Sequence, residues 1–325
     1  MRAVISQGKG PAEVRVAEVA SPAPGPDEIV VAVKASALNR ADLLQTLGLY
    51  PPPAGVPAEI PGMEYAGEVK AIGSRVTRWK LGDRVLGLVG GGAFAEELVT
   101  HEREAMAMPD GMSFTDAAAI PEAFITAFDA LVLQAGLKPA QYVLINAVAS
   151  GVGTAALQLC QLFGATPIGT GRSEAKLARA KTLGLEHSIL VKNDTFSAQV
   201  KQHTRGRGCD VALELVGGSW FPQTIDSLAP HGTLMLVGLV AGVTAEVPLR
   251  QVLAQKLRVI GTTLRSRPLE EKIHVARVFE AQVLPFFAGG KLKPVIDATL
   301  PMTSVREGLE RLAANDSFGK LVLTW

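Results

Sequence analysis

Cysteine is scarce in this chain, which carries only Cys160 and Cys209 among 325 residues. Two cysteines exclude a disulfide framework and a four-thiolate zinc site, and they fit a reducing compartment. An excess of one charge is also missing, because 32 Lys and Arg residues face 31 Asp and Glu residues, a net charge of +1. Nucleic acid is therefore not expected as a partner.

Targeting and membrane signals are absent as well. Residues 1–10 lack the apolar core of a signal peptide. Residues 139–171 are free of charge and long enough to imitate a membrane span, but their Gly, Gln and Ser content favours a sheet buried on both faces. The sequence predicts a cytoplasmic protein of about two domains that does not enter a membrane.

One stretch, residues 141–176, has the pattern of a strand, a tight turn, a helix and a second strand. The turn runs from Ala147 to Gly153, and its small residues allow backbone N–H groups to close on a pyrophosphate at the helix N-terminus. We expect the residues Ser150, Gly151, Val152 and Gly153 to bind that pyrophosphate. The glycine pattern is degenerate, because Val148 and Ser150 stand at its first two positions, so a turn that only packs a helix on a sheet remains the alternative.

The end of the second strand indicates which dinucleotide is bound. NAD-binding units carry Asp or Glu there for the ribose 2′-OH, whereas this chain has Gly171 followed by Arg172, Ser173 and, one turn later, Lys176. Gly171 leaves room, and the two cations suit a 2′-phosphate, so the pattern favours NADPH over NADH. The alternative reading, in which Ser173 caps a helix and Lys176 is solvated, is compatible with this one.

Alternating strands and helices continue to residue 264 and predict a doubly wound parallel sheet, the Rossmann arrangement, over residues 121–264. Ligands bind at the carboxyl ends of such strands, which makes Val216, Gly238 and Leu239 candidates for the nicotinamide side. Residues 1–120 have short alternating strands and many turns, typical of a β-barrel-like domain. A closing strand at 319–324 is expected to return to that first domain.

The β-rich segment also contains candidate site residues. Asn39, with Asp42 three positions later, is either part of a site or a helix cap. Tyr50, which precedes three prolines, is either a site residue or a packed loop aromatic.

Several motifs together resemble the zinc-free NADPH:quinone oxidoreductases of the medium-chain dehydrogenase/reductase superfamily. They are SALNRADLLQ, GLYPPP, IPGMEYAGEV, AAAIPEAFITAF, SGVGTAALQL, GTTLRSR and FGKLVL. Within that family they are most similar to the group of the tumour-suppressor-inducible quinone oxidoreductase and its bacterial relatives. The resemblance runs almost end to end and implies a GroES-like catalytic domain, residues 1–120 and 265–325, together with the Rossmann domain that binds NADPH.

The resemblance also implies roles for particular residues. Asn39 and Tyr50 would line the site near the nicotinamide, and Asp42 would support their loop. Further cofactor contacts would come from Thr126, Leu264, Arg265, Ser266, Asn315 and Lys320. Zinc-dependent relatives of this architecture need Cys at the position of Asn39 and His at that of Met63, so no metal is expected here.

Three functions remain open at this stage. The first is reduction of a quinone by hydride from NADPH, whose product oxygens can take protons from water. The second is reduction of the C=C bond of an enone or alkenal, with Tyr50 as the candidate proton donor. The third is an NADPH-binding module with a structural or nucleic-acid role. The edge of the last Rossmann strand, 259–263, is expected to pair across a two-fold axis, giving a homodimer or homotetramer.

Overall fold

The computed structural model describes all 325 residues, which form two compact units. Unit 1 comprises Met1–Ile125 and Leu264–Trp325, and unit 2 comprises Thr126–Thr263. The predicted ranges differ from these units in residues 121–125 and in residue 264, which the structure assigns to unit 1.

Fifteen strands supply the framework of both units. They are β1 (Arg2–Ile5), β2 (Arg15–Glu18), β3 (Glu28–Ala37), β4 (Glu64–Ile72), β5 (Arg84–Leu88), β6 (Glu97–His101), β7 (Met106–Ala107), β8 (Tyr142–Ile145), β9 (Thr166–Gly171), β10 (His187–Leu190), β11 (Cys209–Glu214), β12 (Leu228–Leu236), β13 (Arg258–Gly261), β14 (Ile296–Pro301) and β15 (Lys320–Thr324).

Eleven α-helices accompany them. They are α1 (Arg40–Thr46), α2 (Phe114–Ala118), α3 (Thr126–Phe128), α4 (Gly151–Leu162), α5 (Glu174–Thr182), α6 (Ser197–His203), α7 (Trp220–Asp226), α8 (Leu249–Gln255), α9 (Leu269–Gln282), α10 (Pro285–Ala288) and α11 (Val305–Ala313). None of them is long and apolar enough to cross a lipid bilayer.

Unit 2 is built on a six-stranded parallel sheet in the order β10-β9-β8-β11-β12-β13. Numbered along the unit, this is the order 3-2-1-4-5-6 of a Rossmann domain, which confirms the predicted fold class. Leu144, Ile168, Ala212 and Leu234 on four of its strands are fully buried. Their burial explains why these strands carry no charge in their centres, since helices cover both faces of a parallel sheet.

Unit 1 contains a seven-stranded sheet in the order β14-β15-β3-β4-β5-β7, with β6 also paired to β3. All of its pairs are antiparallel except β14 with β15. Strand β15 lies beside β3, so the chain does return to its first domain at the C-terminus, as predicted.

Two helices predicted to be continuous are interrupted, and proline is the reason in both. The sequence predicts one helix over 116–128, but α2 ends at Ala118 and a wide π-helical turn, Pro121–Ile125, follows. The helix predicted over 269–287 ends at Gln282 and restarts at Pro285. A proline ring clashes with the carbonyl group four residues earlier and donates no hydrogen bond, so the helix cannot continue through it. Strand β14 has no counterpart in the prediction.

Candidate functional site

The phosphate turn, Ala147–Gly153, joins β8 to α4 in unit 2. Ser150 is the N-cap of α4, and its Oγ accepts a hydrogen bond from the Gly153 N–H at 3.0 Å. The N–H groups of Gly151 and Val152 lie in the first helical turn, where no intrahelical acceptor exists. Among the predicted pyrophosphate ligands, these two backbone groups are therefore the donors that an anion can use.

Close packing explains the glycine at the end of this turn. A Cβ atom on Gly153 would lie 2.5 Å from the Ala147 carbonyl oxygen and 2.7 Å from Val148 Cα, so only glycine fits. Val148 replaces the first glycine of the usual fingerprint, and Gly169 on β9 makes room for it, since a Cβ there would lie 2.9 Å from Val148 Cγ1. The degenerate pattern thus keeps the tight helix–strand contact that the dinucleotide-binding turn requires.

A buried network of polar side chains holds the strand ends beneath the phosphate turn, and sequence reasoning did not find it. Asn146 donates to Glu214 Oε2 at 2.7 Å and to Thr224 Oγ1 at 2.8 Å. Thr170 Oγ1 donates to Asn146 Oδ1 at 2.8 Å, and Glu214 Oε1 accepts the N–H groups of Val216 and Gly217. The sequence signal that could have revealed this network is a set of polar residues at the ends of buried strands.

The predicted 2′-phosphate site lies at the end of β9. Ser173 is the N-cap of α5, and its Oγ accepts from the Lys176 N–H at 3.4 Å, so the capping interpretation is correct. Arg172 is exposed to solvent. A Cβ on Gly171 would lie 3.2 Å from Leu177 Cδ2, so this glycine also serves the packing of α5.

The other predicted residues of unit 2 lie at strand ends or at the start of the unit. The Val216 N–H donates to Glu214, and Gly238 packs so closely on Leu215 that a Cβ would meet its carbonyl oxygen at 2.5 Å. Leu239 is 46% exposed, whereas Thr126 is buried. Any contact of these residues with a cofactor stays a prediction.

Unit 1 contains a buried group of charged and polar side chains, which we call the polar cluster. It consists of Asn39, Asp42, Glu64, Glu122, Arg265 and Lys320, with Tyr50 next to it. Only Asn39, Tyr50, Arg265 and Lys320 were predicted as site residues. Glu64 and Glu122 were missed, although Glu64 follows Met63 in a motif already compared with the zinc-dependent relatives.

Lys320 and Glu64 form the centre of the polar cluster. Lys320 Nζ lies 2.7 Å from Glu64 Oε1 and donates to Asn39 Oδ1 at 2.5 Å and to the Leu38 carbonyl oxygen at 3.0 Å. Glu64 Oε1 also accepts from Asn39 Nδ2 at 2.8 Å, and its Oε2 accepts from the Glu122 N–H at 2.8 Å. The ion pair is thus buried and almost fully hydrogen-bonded, the arrangement that burial of charge requires.

Asp42 ties the start of α1 to the loop before β4. Its Oδ2 accepts from the Asn39 N–H at 2.8 Å and its Oδ1 from the Gly62 N–H at 3.0 Å. Burial raises the pKa of Asp42 to about 6, against the opposing effect of these hydrogen bonds and of Lys320 and Arg265. The expected support of the Asn39 loop by Asp42 agrees with this geometry.

Arg265 is buried and holds the Tyr50 loop. It donates to the Gly90 carbonyl oxygen at 2.7 Å, to the Tyr50 carbonyl oxygen at 3.2 Å and to Gln45 Oε1. Its guanidinium also lies over the Tyr50 ring, 5.0 Å from the ring centre. Burial raises the pKa of the Tyr50 hydroxyl, with Arg265 opposing the rise and Glu122 adding to it.

The remaining predicted residues of unit 1 lie around these loops. Leu264 is buried and Ser266 is exposed. Asn315 is exposed in a left-handed turn, and its Oδ1 accepts from Arg40 at 2.6 Å. Lys320 was expected to contact the cofactor, but the bonds described above direct its ammonium into the polar cluster.

The strand order and the phosphate turn define unit 2 as a dinucleotide-binding domain. Two family models match the chain: an alcohol dehydrogenase GroES-like domain over residues 25–110 and a zinc-binding dehydrogenase over residues 151–280. The chain belongs to the medium-chain dehydrogenase/reductase superfamily, a family of oxidoreductases that use NAD(P).

Individual relatives support this membership. The chain is 34% identical to the quinone oxidoreductase-like protein 2 homolog of Nematostella vectensis over an alignment of 302 residues. This alignment covers 92% of this chain and 82% of that protein. A quinone oxidoreductase of Pseudomonas syringae has a similar structure, with a TM-score of 0.90 and 30% identity over 100% of this chain and 99% of that one. The CurK enoyl reductase has a TM-score of 0.85 at 26% identity, covering 99% and 98%.

Proposed function

We propose that this protein reduces quinones with NADPH by direct hydride transfer and without a metal ion. The observation that carries the proposal is the polar cluster, in which the Lys320 ammonium contacts Asn39, at one metal-binding position of zinc-dependent relatives, and pairs with Glu64, the residue after the other position, Met63. The names of the Nematostella and Pseudomonas proteins, both quinone oxidoreductases or similar to them, support the same reaction.

The residues of unit 2 fit a phosphorylated dinucleotide. Gly151 and Val152 present free N–H groups at the positive end of α4, and Gly153 permits the tight packing of the turn that presents them. Arg172 follows β9, and that strand ends in Gly171 instead of the acidic residue that binds the ribose 2′-OH in NAD-binding units. A cation after the strand and no acidic residue at its end together support NADPH as the cofactor.

The residues of unit 1 do not fit a catalytic zinc ion. Met63 is a soft thioether, Asn39 is a poor ligand, and the Glu64 carboxylate already pairs with Lys320 at 2.7 Å. No group of three His, Cys, Asp or Glu side chains in the structure has the spacing of a metal site. These residues therefore offer no site for a catalytic metal, although one matching family model is that of a zinc-binding dehydrogenase.

When bound, NADPH supplies the hydride. The residues of the chain then bind the acceptor ring, orient it and provide a proton. Tyr50, half-buried and fixed by Arg265, offers an aromatic face and a hydroxyl to the acceptor. A quinone needs little more, because its reduced oxygens are readily protonated.

Reduction of an enone is the second candidate, favoured by the structural similarity to the CurK enoyl reductase. This reaction requires transfer of a proton to a carbon atom. A positioned donor is much more important for that transfer than for protonation of a quinone oxygen. Tyr50 is one donor that unit 1 offers for this step.

The two candidates differ in their response to Tyr50→Phe. For a quinone reductase we expect the variant to keep kcat for 1,4-benzoquinone within about threefold of wild type, because protonation of a quinone oxygen does not depend on the Tyr50 hydroxyl. For an enone reductase, kcat for the enone should fall by roughly 100-fold or more. Rates of NADPH oxidation with both acceptors decide between them, and a wild type inert towards quinones contradicts the proposal.

The cofactor preference is tested separately by Arg172→Ala combined with Lys176→Ala. We expect KM for NADPH to rise by about 10- to 100-fold while KM for NADH is nearly unchanged, because only NADPH carries the 2′-phosphate. Lys181→Ala, an exposed residue on the same helix, is the matched control. An equal change for both cofactors would assign the two cations to the stability of α5 alone.

A further inference from the structure

Glu122 has a buried carboxyl oxygen without a partner. Its Oε2 is shielded from solvent and makes no hydrogen bond. Its backbone, in contrast, is fixed, because the Glu122 N–H donates to Glu64 Oε2 at 2.8 Å. A buried polar atom that lacks a partner costs about 1 to 3 kcal/mol, so its persistence needs an explanation such as a ligand.

The charges around Glu122 are unbalanced. Four charged groups shift the pKa of its carboxyl: Glu64 on β4, Asp42 on α1, Lys320 on β15 and Arg265 after β13. The charge of Glu122 in turn raises the pKa of the Tyr50 hydroxyl. Three carboxyls therefore share two cations. Lys320 is engaged with Glu64, and Arg265 donates to the neutral acceptors on Gly90, Tyr50 and Gln45, so no cation is left to neutralise Glu122.

A carboxyl in this position keeps its proton. Burial and the charge of Glu64 raise the pKa of Glu122 to about 8, with Lys320 and Arg265 opposing the rise. A neutral carboxylic acid is a hydrogen-bond donor, unlike a carboxylate. Its acidity also lies close to neutral pH, where a general acid is most effective.

We propose that Glu122 is a catalytic acid: its neutral carboxyl donates a hydrogen bond, and then its proton, to the acceptor oxygen that becomes negative when hydride arrives. This rests on the proposed function, which supplies the hydride and the acceptor. Tyr50, whose hydroxyl is affected by the charge of Glu122, carries the ring of the acceptor, and the Glu122 carboxyl is the group that the polar end of the acceptor meets.

The step is balanced. The acceptor gains two electrons and one hydrogen as hydride, and its oxygen gains one proton from Glu122. The O–H bond of the carboxyl breaks as the O–H bond of the product forms. The Glu122 carboxylate, destabilised by Glu64 and by burial, then takes a proton from water and is ready for the next cycle.

Glu122→Gln tests the proposal in the full-length protein, because it keeps the shape and removes the proton. With 9,10-phenanthrenequinone we expect kcat near neutral pH to fall by roughly 10- to 100-fold. This loss is at or below the smallest rate effects that are typical of general acids, because water can partly replace Glu122 as the proton donor. In wild type kcat should decline as pH rises through about 8, and this decline should be absent in the variant. KM for NADPH should change by less than about twofold.

A second measurement needs no turnover. The infrared difference spectrum between wild type and Glu122→Gln should contain the C=O band of a neutral carboxylic acid, which disappears as pH rises through about 8. Glu59→Gln, an exposed residue of the same unit, is the control and should change neither the spectrum nor kcat. Glu122→Asp, which keeps the acid, should retain the alkaline decline at a lower rate.

The outcomes are distinct. Equal kcat and an equal alkaline decline in wild type and Glu122→Gln overturn the role of Glu122, whatever the infrared result. Absence of the neutral carboxyl band at about pH 6 to 7 overturns it as well. A wild type that reduces enones but no quinone contradicts the proposed function, and the same comparison with the enone then decides the role of Glu122.

Discussion

Arg265 illustrates how one buried side chain positions another. Its guanidinium donates hydrogen bonds to a side-chain oxygen on α1 and to carbonyl oxygens of two loops of unit 1, and it covers the face of Tyr50. The resemblance to known reductases predicted a cofactor contact at this position. The structure adds a role that sequence could not supply, since the partners at Gln45, Tyr50 and Gly90 are far from Arg265 in the chain.

Arg265→Met should therefore disturb Tyr50 more than it disturbs cofactor binding. We expect the free energy of unfolding to fall by roughly 2 to 4 kcal/mol, because three buried acceptors lose a charged donor. KM for the acceptor should rise more than KM for NADPH. Urea unfolding and steady-state kinetics measure both, and an unchanged KM for the acceptor would show that Tyr50 is held by other contacts.

Glu122 makes a second prediction at the residue scale, in the pH dependence of stability. Its pKa in the folded protein is raised from 4.5 to about 8, so the folded state binds a proton that the unfolded state has lost. This contribution to stability is fully present below about pH 4.5 and is lost as pH rises through about 8.

Glu122→Gln should abolish the loss of stability that the Glu122 carboxyl causes as pH rises. Between about pH 5 and pH 8 the variant should gain stability relative to wild type by up to about 1.4 kcal/mol per pH unit. Asp42, also raised, titrates in both proteins and cancels in the difference. Urea unfolding at several pH values measures the difference, and a difference that does not change with pH contradicts the neutral state of Glu122.

At the scale of elements, unit 2 depends on how its strand ends are joined. Glu214 at the end of β11 receives hydrogen bonds from Asn146 after β8, from Thr224 on α7 and from two N–H groups of its own loop. Thr170 on β9 is linked through Asn146. The phosphate turn starts from these anchored positions.

Glu214→Gln should weaken this anchoring, because an amide nitrogen would face donors that need an acceptor. We expect the free energy of unfolding to fall by roughly 2 to 4 kcal/mol and KM for NADPH to rise, with kcat affected less. Exposed Glu186→Gln is the matched control. A melting temperature equal to that of wild type would mean that the network does not hold the turn.

The pattern of apolar segments predicted a doubly wound parallel sheet for unit 2, because each of its strands buries a local apolar pattern. Gly153 was predicted by the same local logic. The ends of elements were less predictable where proline intervened, as at Pro121. The partners of Glu214 and Glu122 were not predictable, because they come from strands and helices distant in sequence, and only folding brings those together.

At the scale of the whole molecule, unit 2 exposes several large apolar side chains between residues 243 and 259. Val243, Leu249 and Leu253 are 80%, 74% and 81% exposed, and Val259 on the edge strand β13 is 43% exposed. Leu249 and Leu253 share one face of α8, four residues apart. Exposed edge strands and apolar patches mark interaction surfaces.

We propose that this surface joins copies of the chain into a homodimer or homotetramer. Light scattering should give a mass of two or four chains for wild type. Leu249→Glu combined with Leu253→Glu should give a single chain that remains folded, because both side chains are already in solvent within one copy. A monomeric wild type, or a variant that assembles unchanged, contradicts this interface.

The proposed reaction of this protein is a metal-free, NADPH-dependent reduction of quinones. Its most direct test is kcat/KM of the wild-type protein for NADPH and for NADH, with 9,10-phenanthrenequinone as acceptor and a chelator present throughout. We predict turnover that the chelator does not affect and a preference for NADPH of roughly 10-fold or more. Loss of activity in the chelator, or a preference for NADH, would contradict the claim.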